Sequence, residues 1–450
     1  MFGWFKPVCP IDLTSKVWVE ERLIWVCEKF GTKRILEAPR VLPTREFFPD
    51  PYHGTEDDLA PLFRRVCGYM GANPDRFRLS LFSERRHPGI MGLYERGTKD
   101  SPKVSLLRSL LPDQEVVIAT LAHEIAHDLL IGSGLLTGDE DDHEQLTDLL
   151  PVALGMGTFQ ANTRITQESW IEGNMSYWSI SKAGYLTAAV CGYAMGVVEW
   201  LRHSAKPSNS YLGLDAAGAM QAGYRYLTKT NDCLIDRNRP DQPIRLATDS
   251  LAAEINGSAS RCLYLLNGWR HDCQLSPHQI DALRTCLQRN EPEIQCIAIS
   301  LLATIPKLPV EIIDELLHHL RSTHREVCRT AIWMIGQLKV PLGHVTAQGD
   351  PLLDELLWLT RSPDTAICID AAMALGNFGP AALPAVPRIL PVLIQSLAQT
   401  SAESETLFKS LNQIVGSVKV YLKENPGVLS DGHRELVEEG LQLYASAGIR

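Results

Sequence analysis

The residues with the clearest chemical potential are His123-Glu124-Ile125-Ala126-His127, an HExxH motif. Residues i and i+4 share a face of a helix, so a helix here points both imidazoles at one ion. Imidazole suits zinc, and a carboxylate beside the first histidine stands where it can take a proton from water held on the metal. Ile118, Ala119, Leu121, Ala122, Ile125 and Ala126 are apolar and would bury the remaining faces of that helix. The implied chemistry is hydrolysis by activated water with Glu124 as general base. The plain alternative is two histidines one turn apart with no metal between them.

A catalytic zinc takes three protein ligands and keeps one position open. The extended form HExxHxxGxxH is absent, because Leu130 occupies the glycine position and Ser133 the histidine position. The third ligand must come from elsewhere. Glu144-Gln145-Leu146-Thr147-Asp148 places two carboxylates four residues apart, on one face of a helix. One can bind metal while the other accepts a hydrogen bond from a ligating histidine. Asp142 and His143 are further candidates. Asp139, Glu140 and Asp141 read as a solvated acidic loop leading into this helix. Pro151 cannot donate a hydrogen bond to the Thr147 carbonyl, which predicts a kink.

HExxH followed by E-x-x-[small]-D resembles the gluzincin group of zinc metallopeptidases, over residues 110–160. The resemblance implies zinc bound by His123, His127 and Glu144, with Glu124 as base and Asp148 supporting the site. Thr147 departs from the pattern, in which alanine is commoner. A hydrolase of this type also needs a donor for the developing oxyanion. Arg164, Tyr177, Tyr185, Tyr193 and His203 follow the third ligand, and Tyr193 is the expected helper. Cys9 would block a zinc if its thiolate reached one, but it reads first as an ordinary N-terminal thiol.

The elements that must position these groups follow from periodicity and caps. Helices are expected over 15–30 (capped by Ser15), 55–70 and 113–131, the last bounded by Pro112 and Gly132. Strands are expected over 77–82, 91–95 and 103–107, giving a small sheet before the motif helix. Residues 37–58 hold four prolines and read as a loop.

Beyond residue 275 the pattern is helical and repeats. The segments starting at Glu293, Glu326 and Ala366 superimpose, with Ala298, Ala331 and Ala371 aligned at steps of 33 and 40 residues. Amphipathic partners run from Pro309, Pro351 and Val386, and Thr406–Gly416 reads as a last, degenerate unit or cap. Two-helix units at this period mark an α-solenoid, and small residues at fixed places let neighbouring helices approach. These segments resemble HEAT repeats, best at Pro363-Asp364 with Ile367, Ala371, Ala374, Leu375 and Gly376. Cys328 and Cys368 stand where that family often has arginine. Arg321, Arg325 and Arg329 form a basic stripe that reads as a solvated face.

The expected fold is therefore mainly α: an α+β zincin-like domain over 1–270 and an α-solenoid over 275–450. At 45% hydrophobic and 21% charged residues, the 450-residue chain has material for real cores. A net charge of -10 argues against a nucleic-acid partner that relies on bulk positive charge. The most apolar stretch, 183–198, is interrupted by Gly184, Gly192 and Gly196 and reads as a buried helix, so no membrane span is expected. Eleven cysteines without a CxxC pair point to reducing cytoplasm. The functional expectation is an intracellular zinc metallopeptidase acting on a protein or peptide, with the repeats recruiting a protein substrate or regulator. The alternative is a non-catalytic interaction scaffold with a structural or vestigial zinc site.

Overall fold

Asp12, rather than Ser15, opens the first helix. Its carboxylate accepts the Ser15 N–H at 2.8 Å and the Ser15 hydroxyl at 2.6 Å, so α1 runs Leu13–Phe30 and ends at Gly31. This is the computed structural model of the chain. It describes residues 7–84, 90–97, 101–163, 186–205, 207–242, 251–270, 274–345, 351–399 and 403–446. They form a mainly α fold with one small sheet.

The chain divides into two units, Met1–Leu246 and Ala247–Arg450. The division falls earlier than the sequence suggests. Helices Leu251–Asn256 and Ala259–Trp269 belong to the second unit because Cys262, Leu263 and Leu266 are buried there, against Pro292–Leu302 and its neighbours.

In the first unit, α2 (Thr32–Glu37) follows α1, and α3 spans Leu59–Met70. Helix α3 starts a turn later than periodicity implies. The Asp58 carboxylate accepts from the Thr55 N–H and hydroxyl and from the His53 N–H, holding 53–58 as a turn. Strands β1 (Arg78–Phe82), β2 (Gly92–Glu95) and β3 (Lys103–Leu107) lie close to their expected places. The order is β1-β3-β2, with β1 parallel and β2 antiparallel to the central β3.

Helix α4 (Gln114–His127) packs on β2 and β3, capped by Asp113, which accepts the Glu115 and Val116 N–H groups. Val104, Leu106, Val117, Ile118, Leu121 and Ile125 form the core between them. A π turn, Asp128–Gly132, replaces the expected last helical turn. Helix α5 (His143–Pro151) leads into a second π turn, Val152–Met156, immediately after Pro151, where the missing donor predicts a departure from α geometry. Helices α6 (Ala188–Leu201) and α7 (Leu214–Thr230) close the unit against α1.

In the second unit, Pro292–Leu302, Arg325–Leu338, Thr365–Asn377 and Glu403–Val415 pack in series, each on the next. The aligned alanines Ala298, Ala331 and Ala371 are fully buried. The basic stripe is committed internally. Arg321 forms a bidentate pair with Glu355, Arg325 pairs with Asp364 at 2.6 Å, and Arg329 with Asp370 at 2.6 Å. Each pair joins one helical hairpin to the next.

Among the described residues, one helix, Gly379–Ala398, is long and apolar enough to cross a membrane by length and composition. It carries Arg388 and four prolines, and its face Ile389, Leu390, Leu393 is buried against neighbouring helices.

The series depends on close approach. A Cβ on Gly376 would fall 2.7 Å from Ser410 Cβ and 2.8 Å from its Cα. Gly376→Leu is expected to lower stability by about 1–3 kcal/mol through overpacking, read as a fall in the urea midpoint. An unchanged midpoint would mean these two helices can part freely.

Candidate metal centre

Three side chains meet where α4 faces α5. The ligand atoms of His123, His127 and Glu144 lie within 4.8 Å of one another. The two histidines come from adjacent turns of α4, and Glu144 is in the first turn of α5. Glu144 Oε2 is 3.4 Å from His123 Nε2 and 3.7 Å from His127 Nε2. That oxygen is buried and has no hydrogen-bond partner. Such an atom is costly unless something else satisfies it.

The histidines are oriented from behind. His123 Nδ1 is 2.9 Å from Asp148 Oδ1, and Asp148, fully buried, also accepts the Leu186 N–H at 3.1 Å. His127 Nδ1 is 3.5 Å from Thr147 Oγ1. The Thr147 hydroxyl donates to the His143 carbonyl at 2.7 Å, which leaves its oxygen to accept from His127. The departure from alanine at position 147 thus has a physical use. With Nδ1 engaged, each ring points Nε2 inward, the nitrogen through which it would bind a metal. Tyr94, on β2, stacks on His127 with centroids 6.0 Å apart at 17°. Its hydroxyl donates to buried Asp128 at 3.1 Å, and Arg76 reaches the same carboxylate at 3.3 Å.

A third imidazole faces this group. His143 Nδ1 lies 2.8 Å from the Glu140 carbonyl, and Nε2 is 3.2 Å from Glu144 Oε1. Asp142, just before it, is held by Trp18 Nε1 at 2.8 Å and Arg22 Nε at 2.6 Å, so α1 fixes the start of the ligand helix. Asp142 is therefore occupied as an anchor rather than available as a ligand.

Glu124 is buried at 4% exposure and makes no hydrogen bond among the described residues. Gly92 of β2 lies against it. A Cβ there would sit 2.3 Å from Glu124 Oε1 and 2.6 Å from Thr120 Cγ2, so only glycine leaves room for the carboxylate. Burial pushes Glu124 up to about 7. Burial alone would push His123 down, but its contacts with Asp148 and Glu144 prevail and carry it up to about 10. His127 is driven down to about 4 by burial and by the neighbouring His123 charge. Burial would raise Glu144, yet the His123 contact and the surrounding imidazoles hold it down at about 2. Two imidazoles, one ionised carboxylate and an orphaned oxygen between them fit a zinc-type ion.

Tyr193 is not part of this group. It is fully buried on α6, and its hydroxyl donates to Glu20 Oε1 at 2.6 Å. Glu20 also accepts from Lys16 Nζ at 3.0 Å and from the Leu234 N–H at 2.8 Å. The apolar run that made Tyr193 a candidate is a core helix, and its hydroxyl satisfies a buried charge. Cys9 belongs to the same neighbourhood, where burial pushes its thiol up to about 11. His203 is exposed just past the end of α6. Arg164, Tyr177 and Tyr185 lie outside the described residues. Sequence reasoning missed Tyr94, Asp128, Trp18 and Arg22, and weighed His143 only as a ligand. The one local signal was Asp128, adjoining the motif.

No protein-family model matches the chain, and no curated protein sequence matches it. Among solved structures, an engineered protein from the Northeast Structural Genomics Consortium is similar at 14% identity over 94% of both chains, with a TM-score of 0.29.

Two outcomes follow from the site. In the metal-free protein His123 keeps its proton below about pH 10, while His127 is neutral and Glu144 ionised at neutral pH. Zinc must displace the His123 Nε2 proton, so binding tightens as pH rises. Calorimetry in buffers of different ionisation enthalpy should find about one proton released per zinc at pH 8. Zinc uptake without proton release would contradict this ligand set. Tyr193→Phe is expected to cost about 1.5–3 kcal/mol of stability, the loss of a hydrogen bond to a buried charge, with zinc affinity unchanged. Weakened zinc binding in a stable Tyr193→Phe chain would return Tyr193 to the site.

Proposed function

We propose that the chain is a zinc-dependent hydrolase, and within that class a peptidase. The observation that carries this reading is the buried, unpartnered Glu144 Oε2 facing His123 and His127, with Glu124 free beside them. A structural site needs no such base.

Zinc, when bound by His123, His127 and Glu144, would polarise the attacking water and the substrate carbonyl. Glu124 accepts the proton of the attacking water. Burial raises its basicity toward the operating range, and the same carboxyl then returns the proton to the leaving nitrogen. Tyr94 and Thr147 hold the His127 ring, and Asp148 holds His123. His143, with Nδ1 on the Glu140 carbonyl and Nε2 3.2 Å from Glu144 Oε1, would position the ligand carboxylate rather than take the role expected earlier of Tyr193.

The peptidase reading rests on β2. Among the described residues its outer edge is unpaired, and it lies over α4 next to Glu124. An extended peptide can add to such an edge through main-chain hydrogen bonds, which brings its carbonyls past the base. The stacked hairpins of the second unit, read as HEAT-like, would present the surface for a protein substrate or regulator, in reducing cytoplasm.

Glu124→Gln should retain zinc at the wild-type stoichiometry and lose hydrolysis of a peptide library. His143→Ala should weaken zinc binding by about 10–100-fold, the size expected when a group that orients a ligand is lost. Wild-type protein that binds zinc, yet cleaves nothing that Glu124→Gln leaves intact, would favour a scaffold with a structural or vestigial site.

A further inference from the structure

The second unit holds a pair of thiols with its own chemistry, independent of the metal reading. Cys262 lies one turn into helix Ala259–Trp269, and Cys286 is the next-to-last residue of Pro277–Leu287. Both side chains are fully buried, and the sulfurs are 3.7 Å apart. That is contact distance. A disulfide is about 2.05 Å, so closure asks for less than 2 Å of movement between two side chains.

The surroundings favour reaction. Arg289 stands near both sulfurs, its guanidinium fixed by Glu291 at 2.8 Å and by the Ile255 carbonyl at 2.5 Å. Hydrogen bonding from Cys286 lowers the Cys262 thiol against the opposing effect of burial, and the Arg289 charge adds to that. Outside this pair, the described cysteines with a resolved shift are all pushed up. A thiol beside a cation near a helix N-terminus is the type that attacks disulfides. Both cysteines lie within one turn of a helix end, the least protected part of a helix. All ten described cysteines are free.

We propose that Cys262 and Cys286 are a reversible dithiol–disulfide site that reacts with low-molecular-weight disulfides and covalently joins two helices of the second unit. The Cys262 thiolate attacks one sulfur of the small disulfide. That S–S bond breaks, one small thiol leaves, and a mixed disulfide remains on Cys262. Cys286 loses its proton to solvent, attacks Cys262 Sγ and expels the second small thiol. Two electrons and two protons pass to the oxidant, giving two equivalents of thiol and one protein disulfide.

The test treats the full chain with oxidised glutathione under native conditions. Free thiols are then alkylated in denaturant without reductant, and the protein is digested with trypsin. Cleavage after Arg261, Arg270, Arg284 and Arg289 puts Cys262, Cys273 and Cys286 on separate peptides. The expected product is peptide 262–270 joined to 285–289, released by dithiothreitol and absent in Cys262→Ser. Its formation should raise the urea midpoint of the oxidised chain above that of the reduced one. Cys286→Ser should hold glutathione on Cys262. Recovery of both cysteines as alkylated thiols, or of either one joined to Cys273 instead, would overturn the proposal. An unmodified Cys286→Ser chain would overturn the assignment of Cys262 as the attacking thiol.

Discussion

A buried carboxylate oxygen with nothing to bond is the constraint on which the first unit turns. Glu144 Oε2 lies among imidazoles that are all tied down at their far nitrogens. Asp148, Thr147 and the Glu140 carbonyl hold the Nδ1 atoms of His123, His127 and His143 respectively. Each ring therefore turns Nε2 toward the same carboxylate. Without an ion, Glu144 Oε2 has only the long 3.4 Å contact with His123 Nε2, and Asp148 and Glu144 together carry His123 far above its ordinary value. Stability and metal affinity oppose one another here. Hydrogen bonds that relieved Glu144 Oε2 would stabilise the empty fold and weaken the site.

Keeping such an arrangement requires support from elements distant in sequence. Helix α5 carries Glu144, Thr147 and Asp148, so its placement sets three of the contacts at once. Trp18 and Arg22 of α1 hold its first residues through Asp142. The other end leaves α geometry at Pro151. On the opposite side, β2 brings Tyr94 onto His127 and the bare backbone of Gly92 against Glu124. The base is thereby kept buried without being hydrogen-bonded. Burial raises its basicity, whereas a hydrogen-bond donor would have lowered it.

What could be read in the sequence was local. HExxH and E-x-x-T-D each lie within a single helix, so spacing alone predicts which side chains share a face. The three strands, the motif helix and its Asp113–Pro112 start were legible for the same reason. Contacts across the fold were not. Trp18 and Asp142 are separated by 124 residues, and no periodicity connects them. Tyr193 misled because a tyrosine in an apolar run looks the same whether its hydroxyl meets a substrate or a buried glutamate 173 residues away. The division near residue 246 was missed because helices 251–256 and 259–269 lack the alignable pattern of the later repeats, although they pack with them.

Both units settle charge by pairing it internally. In the second unit, the arginines that read as a solvated face each find a carboxylate one hairpin away. Those pairs fix the register of successive hairpins and leave little charge to spare. In the first unit, Lys16, Glu20 and Tyr193 satisfy one another in the same manner beneath α1. At the candidate metal site, ionisable groups lie close together with the Glu144 Oε2 acceptor left without a partner. Glu144 and Glu124 are carboxylates held beside imidazoles without the matched donors that close the Lys16–Glu20–Tyr193 cluster, and perturbed ionisable groups gathered in this way mark a candidate functional site.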